Sequence, residues 1–103
     1  MFIYSVTVSI NKEIEKEWLD WMIKKHIPDV LNTGCFTEYN LFQVYSAMAE
    51  DVCTYNVQYS FNSVDDLEKY QKNFAAALQK EHKDKFDGKF VATRTVLRKI
   101  ENP

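Results

Sequence analysis

From Phe2 to Ile10 the chain alternates. Phe2, Tyr4, Val6, Val8 and Ile10 fall on one side, and Ser5, Thr7 and Ser9 on the other. A period of two belongs to a strand with one face buried and one wet. Asn11 is placed to cap a helix, and Glu13 to sit in its first turn, where a carboxylate suits the helix dipole. At about 100° per residue, Ile14, Trp18, Leu19, Trp21, Met22 and Ile23 gather in one arc and the charged residues fill the other. Pro28 disfavours helical geometry at Ile27. The helix should therefore end or kink near His26, with a further turn over 29–32 and a left-handed stop at Gly34.

Residues 35–47 and 52–61 read as a second and a third strand, joined by a hairpin loop over 48–51. In the third, Cys53, Tyr55, Val57, Tyr59 and Phe61 alternate with Thr54, Asn56, Gln58 and Ser60. Ser63 followed by Asp66 has the spacing of a capping box, and Leu67, Tyr70, Phe74, Ala77 and Leu78 make one helical stripe behind it. Lys80, Lys83 and Lys85 suit the end of that helix, Gly88 terminates it, and 89–100 is a last long strand. The order β-α-β-β-α-β is the split-βαβ signature of an α+β, ferredoxin-like chain. Right-handed crossovers place the first and third strands side by side at the centre of a four-stranded antiparallel sheet with two helices on one face. The aromatic sides of the central strands should meet those helices. The Ser, Thr, Asn and Gln side should face solvent or a partner.

With 103 residues, the chain suits a single domain over 1–103. A core of that size gains from a second subunit, and an aromatic content of 15% leaves surface for one, so a homodimer is expected. The net charge of −2 and the absence of a basic stripe argue against nucleic acid as a partner. The start, Met1-Phe2-Ile3-Tyr4, has neither a basic leader nor a long apolar run. The expected setting is cytoplasmic, with no membrane span.

Several stretches together carry a resemblance. These are 17–22 (EWLDWM) running into His26-Ile27-Pro28-Asp29-Val30-Leu31, then Thr33-Gly34-Cys35-Phe36, then 54–59 (TYNVQY). Phe74-Ala75 before Leu78, Glu81-His82, and Lys85-Phe86 before 88–91 (GKFV) complete it. Over nearly its whole length the chain resembles a small bacterial family known as domain of unknown function number 4286. That family has no established activity, so the resemblance implies no catalytic residue. In architecture the chain is similar to the dimeric α/β-barrel superfamily, which holds antibiotic-biosynthesis-type monooxygenases, haem-degrading enzymes, isomerases and plain binding domains. That analogy implies a dimer and leaves the function open.

Two histidines are the candidates for chemistry. His26 lies inside the apolar arc, about 40° from Met22 and about 80° from Trp18, at a helix end. It is either a polar group aimed into an aromatic pocket or a helix-terminal histidine bonded to a carbonyl. His82 sits at the edge of the second helix's stripe and could approach the same end of the layer. No further ligand stands at metal-binding spacing, so neither a metal nor a cofactor is expected. Tyr4, Tyr55 and Tyr59 should face the helices, and each buried hydroxyl needs a partner. Arg94 interrupts the last strand, either to bind an anion or as a solvated edge residue.

Two functions follow. In one, a small apolar or aromatic molecule is bound, or acted on without cofactor, between helices and sheet. Trp18, Met22, Tyr59 and Phe90 form the walls and His26 the polar anchor, with His82 near by. In the other, the chain is a non-enzymatic dimeric interaction module whose aromatics are core and interface. The cysteines add a geometric expectation. With 48–51 as the turn, Ala47 pairs with Val52 and Cys53 with Ser46. Cys35 then lies ~30 Å or more from Cys53 along the sheet, out of disulfide range, and is the more exposed thiol.

Overall fold

The computed structural model describes residues 1–47 and 49–101. Strand β1 (Phe2–Asn11) leads through a 3₁₀ turn at Lys12–Ile14 into helix α1 (Glu15–Trp21), a π turn (Met22–His26) and helix α2 (Ile27–Leu31). Strands β2 (Glu38–Gln43) and β3 (Val52–Phe61), helices α3 (Val64–Asn73) and α4 (Ala75–Lys85), and strand β4 (Phe90–Arg98) complete the order. The sheet runs β2-β3-β1-β4 with every pair antiparallel, which is the predicted ferredoxin-like arrangement.

The alternation of β1 and β3 sorts the molecule into layers. Tyr4, Val8 and Ile10 from β1, and Cys53, Tyr55, Val57, Tyr59 and Phe61 from β3, are buried against the helices with Trp18, Met22, Ile27, Val30, Leu67, Tyr70 and Phe86. The other face is a polar ladder bonded to itself. The Ser9 and Thr54 hydroxyls are 2.9 Å apart, and the Asn56 amide donates to Ser5 Oγ at 2.9 Å and Thr7 Oγ1 at 3.0 Å.

The first helical run continues through Pro28, with a π turn over Met22–His26 just before it. Ile27 keeps helical angles (φ −61°, ψ −46°) and Pro28 sits in the first turn of α2. The π turn just before it inserts one extra residue per turn. There the Ile27 N–H bonds back to the Met22 carbonyl, and the wider turn gives the proline ring room against the preceding carbonyl. Gly34 then stops the run at φ 78°, as expected.

The second strand is shorter than predicted. β2 spans only Glu38–Gln43, and the chain leaves the ladder into a 3₁₀ turn at Tyr45–Ala47. The connection to β3 therefore covers 44–51, with Met48 outside the described residues. Pairing runs from Glu38 opposite Ser60 to Gln43 opposite Tyr55, one residue out of the predicted register, and Ser46 lies beyond the ladder rather than opposite Cys53. A slip of one exchanges the faces of a strand. Leu41 now pairs with Val57 on the helix side, and Phe42 stands on the outer face, 49% exposed.

Cys35 and Phe36 precede β2 and turn inward, where Phe36 packs on Tyr4, Tyr59 and Tyr70. Cys35 is consequently as buried as Cys53, which overturns the expectation that it is the exposed thiol. Both thiols are free.

The second predicted helix is two. Ser63 caps α3 by accepting from the Asp66 N–H, and Phe74 breaks the run at φ −128°. Leu67 and Tyr70 lie below the break, while Ala75 and His82 are the buried residues of α4 in place of Ala77. Gly88 (φ 74°) turns the chain into β4.

Candidate functional site

Between helices and sheet is one hollow lined by residues from nearly every element. β1 supplies Tyr4, Val6 and Val8, and β3 supplies Val57 and Tyr59. The π turn supplies Met22 and His26, α2 Val30, α3 Tyr70, α4 Gln79 and His82, and β4 Arg94. Its enclosed part measures about 20 Å³ for the centre of a water molecule, and about 400 Å³ with the open mouth included. The first figure is room for roughly one water; the second counts open solvent at the mouth.

The histidines meet in this layer. Their ring centroids are 5.5 Å apart, and Trp21 stacks on both, at 5.1 Å from His26 and 5.5 Å from His82. His82 is 4% exposed, lies flat on Phe90 at 4.0 Å, and accepts from the Trp18 indole N–H at 3.0 Å. That bond occupies Nε2, so the neutral ring carries its proton on Nδ1. Burial drives the His82 pKa down to about 4, and the charges of His26 and Arg94 push the same way.

His26 is held differently. Its Nδ1 is buried and has no hydrogen-bond partner. Burial lowers its pKa to about 4 against the opposing pull of Glu81 and Asp29, with Arg94 and Lys25 adding to the depression. Lys25 pairs with Asp29 one turn on and reaches Glu81 Oε1 at 3.5 Å, an ion pair that joins the π turn to α4. Both rings are therefore neutral at pH 7: His82 with its proton placed, His26 with a ring nitrogen free to bond.

Of the residues predicted from sequence, His26, Met22, Tyr59 and His82 line the hollow. Trp18 and Phe90 stand behind it and position His82, one by a hydrogen bond and one by stacking. Trp18 is fully buried, which fits a supporting role. The pattern missed Tyr70 and Gln79 as wall residues because helical spacing marks them as core and surface respectively. Arg94 was visible as a break in β4, but its direction was not. Its pairing with Val6 shows that it points to the helix side.

Tyr4 has Arg94 and Gln79 beside its hydroxyl; burial raises its pKa and these neighbours oppose the rise. Tyr55 lies outside the hollow and donates to Glu15 Oε2 at 2.5 Å. Burial and that carboxylate raise the Tyr55 pKa, and Glu15 is held below the usual carboxylate range by the same bond. Among the described residues no cluster of His, Cys, Asp and Glu has metal-holding geometry, and no helix is long and apolar enough to cross a membrane.

The profile of the family described as "Domain of unknown function (DUF4286)" matches residues 1–100. No curated protein matches the sequence. Among solved structures, an ethyl tert-butyl ether D (EthD) family protein from Bacillus halodurans C-125 superposes with a TM-score of 0.72 at 15% identity, covering 97% of this chain and 100% of its own. A dimeric ferredoxin-like protein from an uncultured marine organism gives 0.63 at 13%, covering 99% and 97%. A de novo designed protein gives 0.66 at 13%, covering 96% and 98%. Likeness at such identity establishes the fold alone, and a designed chain among the neighbours shows how little that fold says about chemistry.

Proposed function

The chain belongs to the DUF4286 family, and from that premise we propose that it binds a small, largely apolar molecule in the hollow between helices and sheet, with His26 meeting the ligand's polar atom. The observation that carries this reading is the unpartnered, buried Nδ1 of His26 on the wall of that hollow. A buried polar atom without a partner costs about 1–3 kcal/mol, and a ligand atom would satisfy it. Tyr59 and Met22 supply the apolar wall, and His82 adds a fixed Nδ1 proton.

The test is a fragment screen followed by nuclear magnetic resonance of labelled protein. Hits should shift the resonances of Met22, His26 and His82 together, and His26→Ala should weaken them about tenfold or more without unfolding the chain. Hits that ignore these residues, or that bind His26→Ala unchanged, would remove the reading.

The working unit is proposed to be a homodimer joined through the outer face of the sheet. The polar ladder there is internally bonded and is flanked by exposed Phe42, Val91 and Leu97. The dimeric state of the marine neighbour supports this assembly. The second reading, a dimeric interaction module without a ligand, is favoured by one observation, the narrowness of the enclosed space.

A further inference from the structure

We propose that the molecule taken up in this hollow is a small organic carboxylate, its anionic group held by Arg94 and its apolar body against the Met22 and Val30 wall; this rests on the hollow being a ligand site.

The argument begins with the alternation of β4. Phe90, Ala92, Arg94 and Val96 share the side that faces the helices, and Arg94 pairs with Val6 of the central strand. A guanidinium placed in an apolar row faces a desolvation cost unless it finds solvent or a counter-charge. Here it sits on an edge strand, exposed at the mouth of the hollow that it lines.

The second step is the charge of the lining. Among its residues Arg94 carries the one formal charge at neutral pH; the polar remainder are tyrosines, a glutamine and two neutral histidines, and none is acidic. Yet the chain as a whole has 15 acidic and 13 basic residues. Acids stand close by: Asp29 is paired with Lys25 and Asp84 with Lys80, while Glu81 Oε1 is buried 3.5 Å from Lys25 without a hydrogen-bond partner. Among the described residues no carboxylate pairs with Arg94, while Lys24 and Lys80 each have one and Lys25 has two. Arg94 is thus the one charged group on the wall itself, with Glu81 and Asp29 acting on His26 from outside it.

The third step is donor geometry. Trp18 fixes the His82 tautomer so that Nδ1 bears hydrogen, and the Tyr4 hydroxyl lies between Arg94 and the Gln79 amide as a neighbour of both. A planar carboxylate accepts two parallel bonds from a guanidinium and has lone pairs left for such donors. A neutral alcohol or amide would leave the guanidinium without its counter-charge. The hydrocarbon part of the ligand would lie toward Met22, Val30 and Val57, which line the hollow.

The experiment uses benzoate and its neutral isostere benzamide as probes, titrated into labelled protein at low ionic strength. The readouts are the Trp18 indole N–H, His26 and His82 resonances. Benzoate should bind at least about tenfold more tightly than benzamide. Arg94→Gln should abolish that preference while leaving benzamide unchanged, and Arg94→Lys should keep part of it. Equal binding of both probes, indifferent to Arg94→Gln, would overturn the carboxylate assignment and leave the site standing. If neither probe moves these resonances, while fragments of other classes do, the carboxylate assignment falls alone. If no fragment of any class moves them, the site falls with it.

Discussion

At the scale of single residues, the two histidines set how the protein responds to acid. Each has a folded pKa near 4, lowered chiefly by burial, against an ordinary value of 6.5. The unfolded chain therefore takes up protons first as pH falls. Stability should be fully present above about pH 6.5, decline between about 6.5 and 4, and level off below the folded value as far as these groups are concerned. For His82 alone the decline is on the order of 3 kcal/mol, at about 1.4 kcal/mol per pH unit of depression. Urea unfolding at pH 7, 6 and 5 reads this directly. The midpoint should fall already between pH 6.5 and 5, above the range in which ordinary carboxylates titrate. A midpoint constant over that interval would mean that the rings are not held neutral.

Elements show what periodicity can and cannot carry. The capping of α3 is a local event, legible from Ser63 and Asp66. Ser63→Ala should cost about 1 kcal/mol, measured as a lower urea midpoint with an unchanged slope; an unchanged midpoint would show that the cap contributes nothing. β1 and β3 were legible almost to the residue because each buries one face in the core and so keeps a strict period of two. β2 was not. It is an edge strand with largely exposed side chains, so no burial pattern fixes where pairing stops or in which register it runs. The π turn was hidden for a related reason. A proline in a helical pattern signals an interruption, but the sequence does not say whether the chain breaks, bends or takes an extra residue into one turn. The site was half legible. His26, Met22 and His82 follow from helical phase, whereas the inward direction of Arg94 follows from its pairing across the sheet with Val6.

For the molecule as a whole, the proposed assembly rests on the outer face of the sheet. At its centre Ser5, Thr7, Ser9, Thr54 and Asn56 bond to one another, and its margins carry exposed Phe42, Val91 and Leu97. Light scattering at micromolar concentration should report twice the 12.2 kDa chain mass. Val91→Glu together with Leu97→Glu should return it to the monomer mass; a wild-type chain that is already monomeric would dismiss the assembly.

The stacking of indoles on imidazoles has one more consequence. The chain has two tryptophans. Trp18 is bonded to His82, and Trp21 lies against both histidine rings. All of the tryptophan light the protein emits therefore originates within touching distance of the histidine pair. A proton added to His82 changes the surroundings of both emitters at once, and one added to His26 those of Trp21, so the unlabelled protein is its own optical gauge of what happens there.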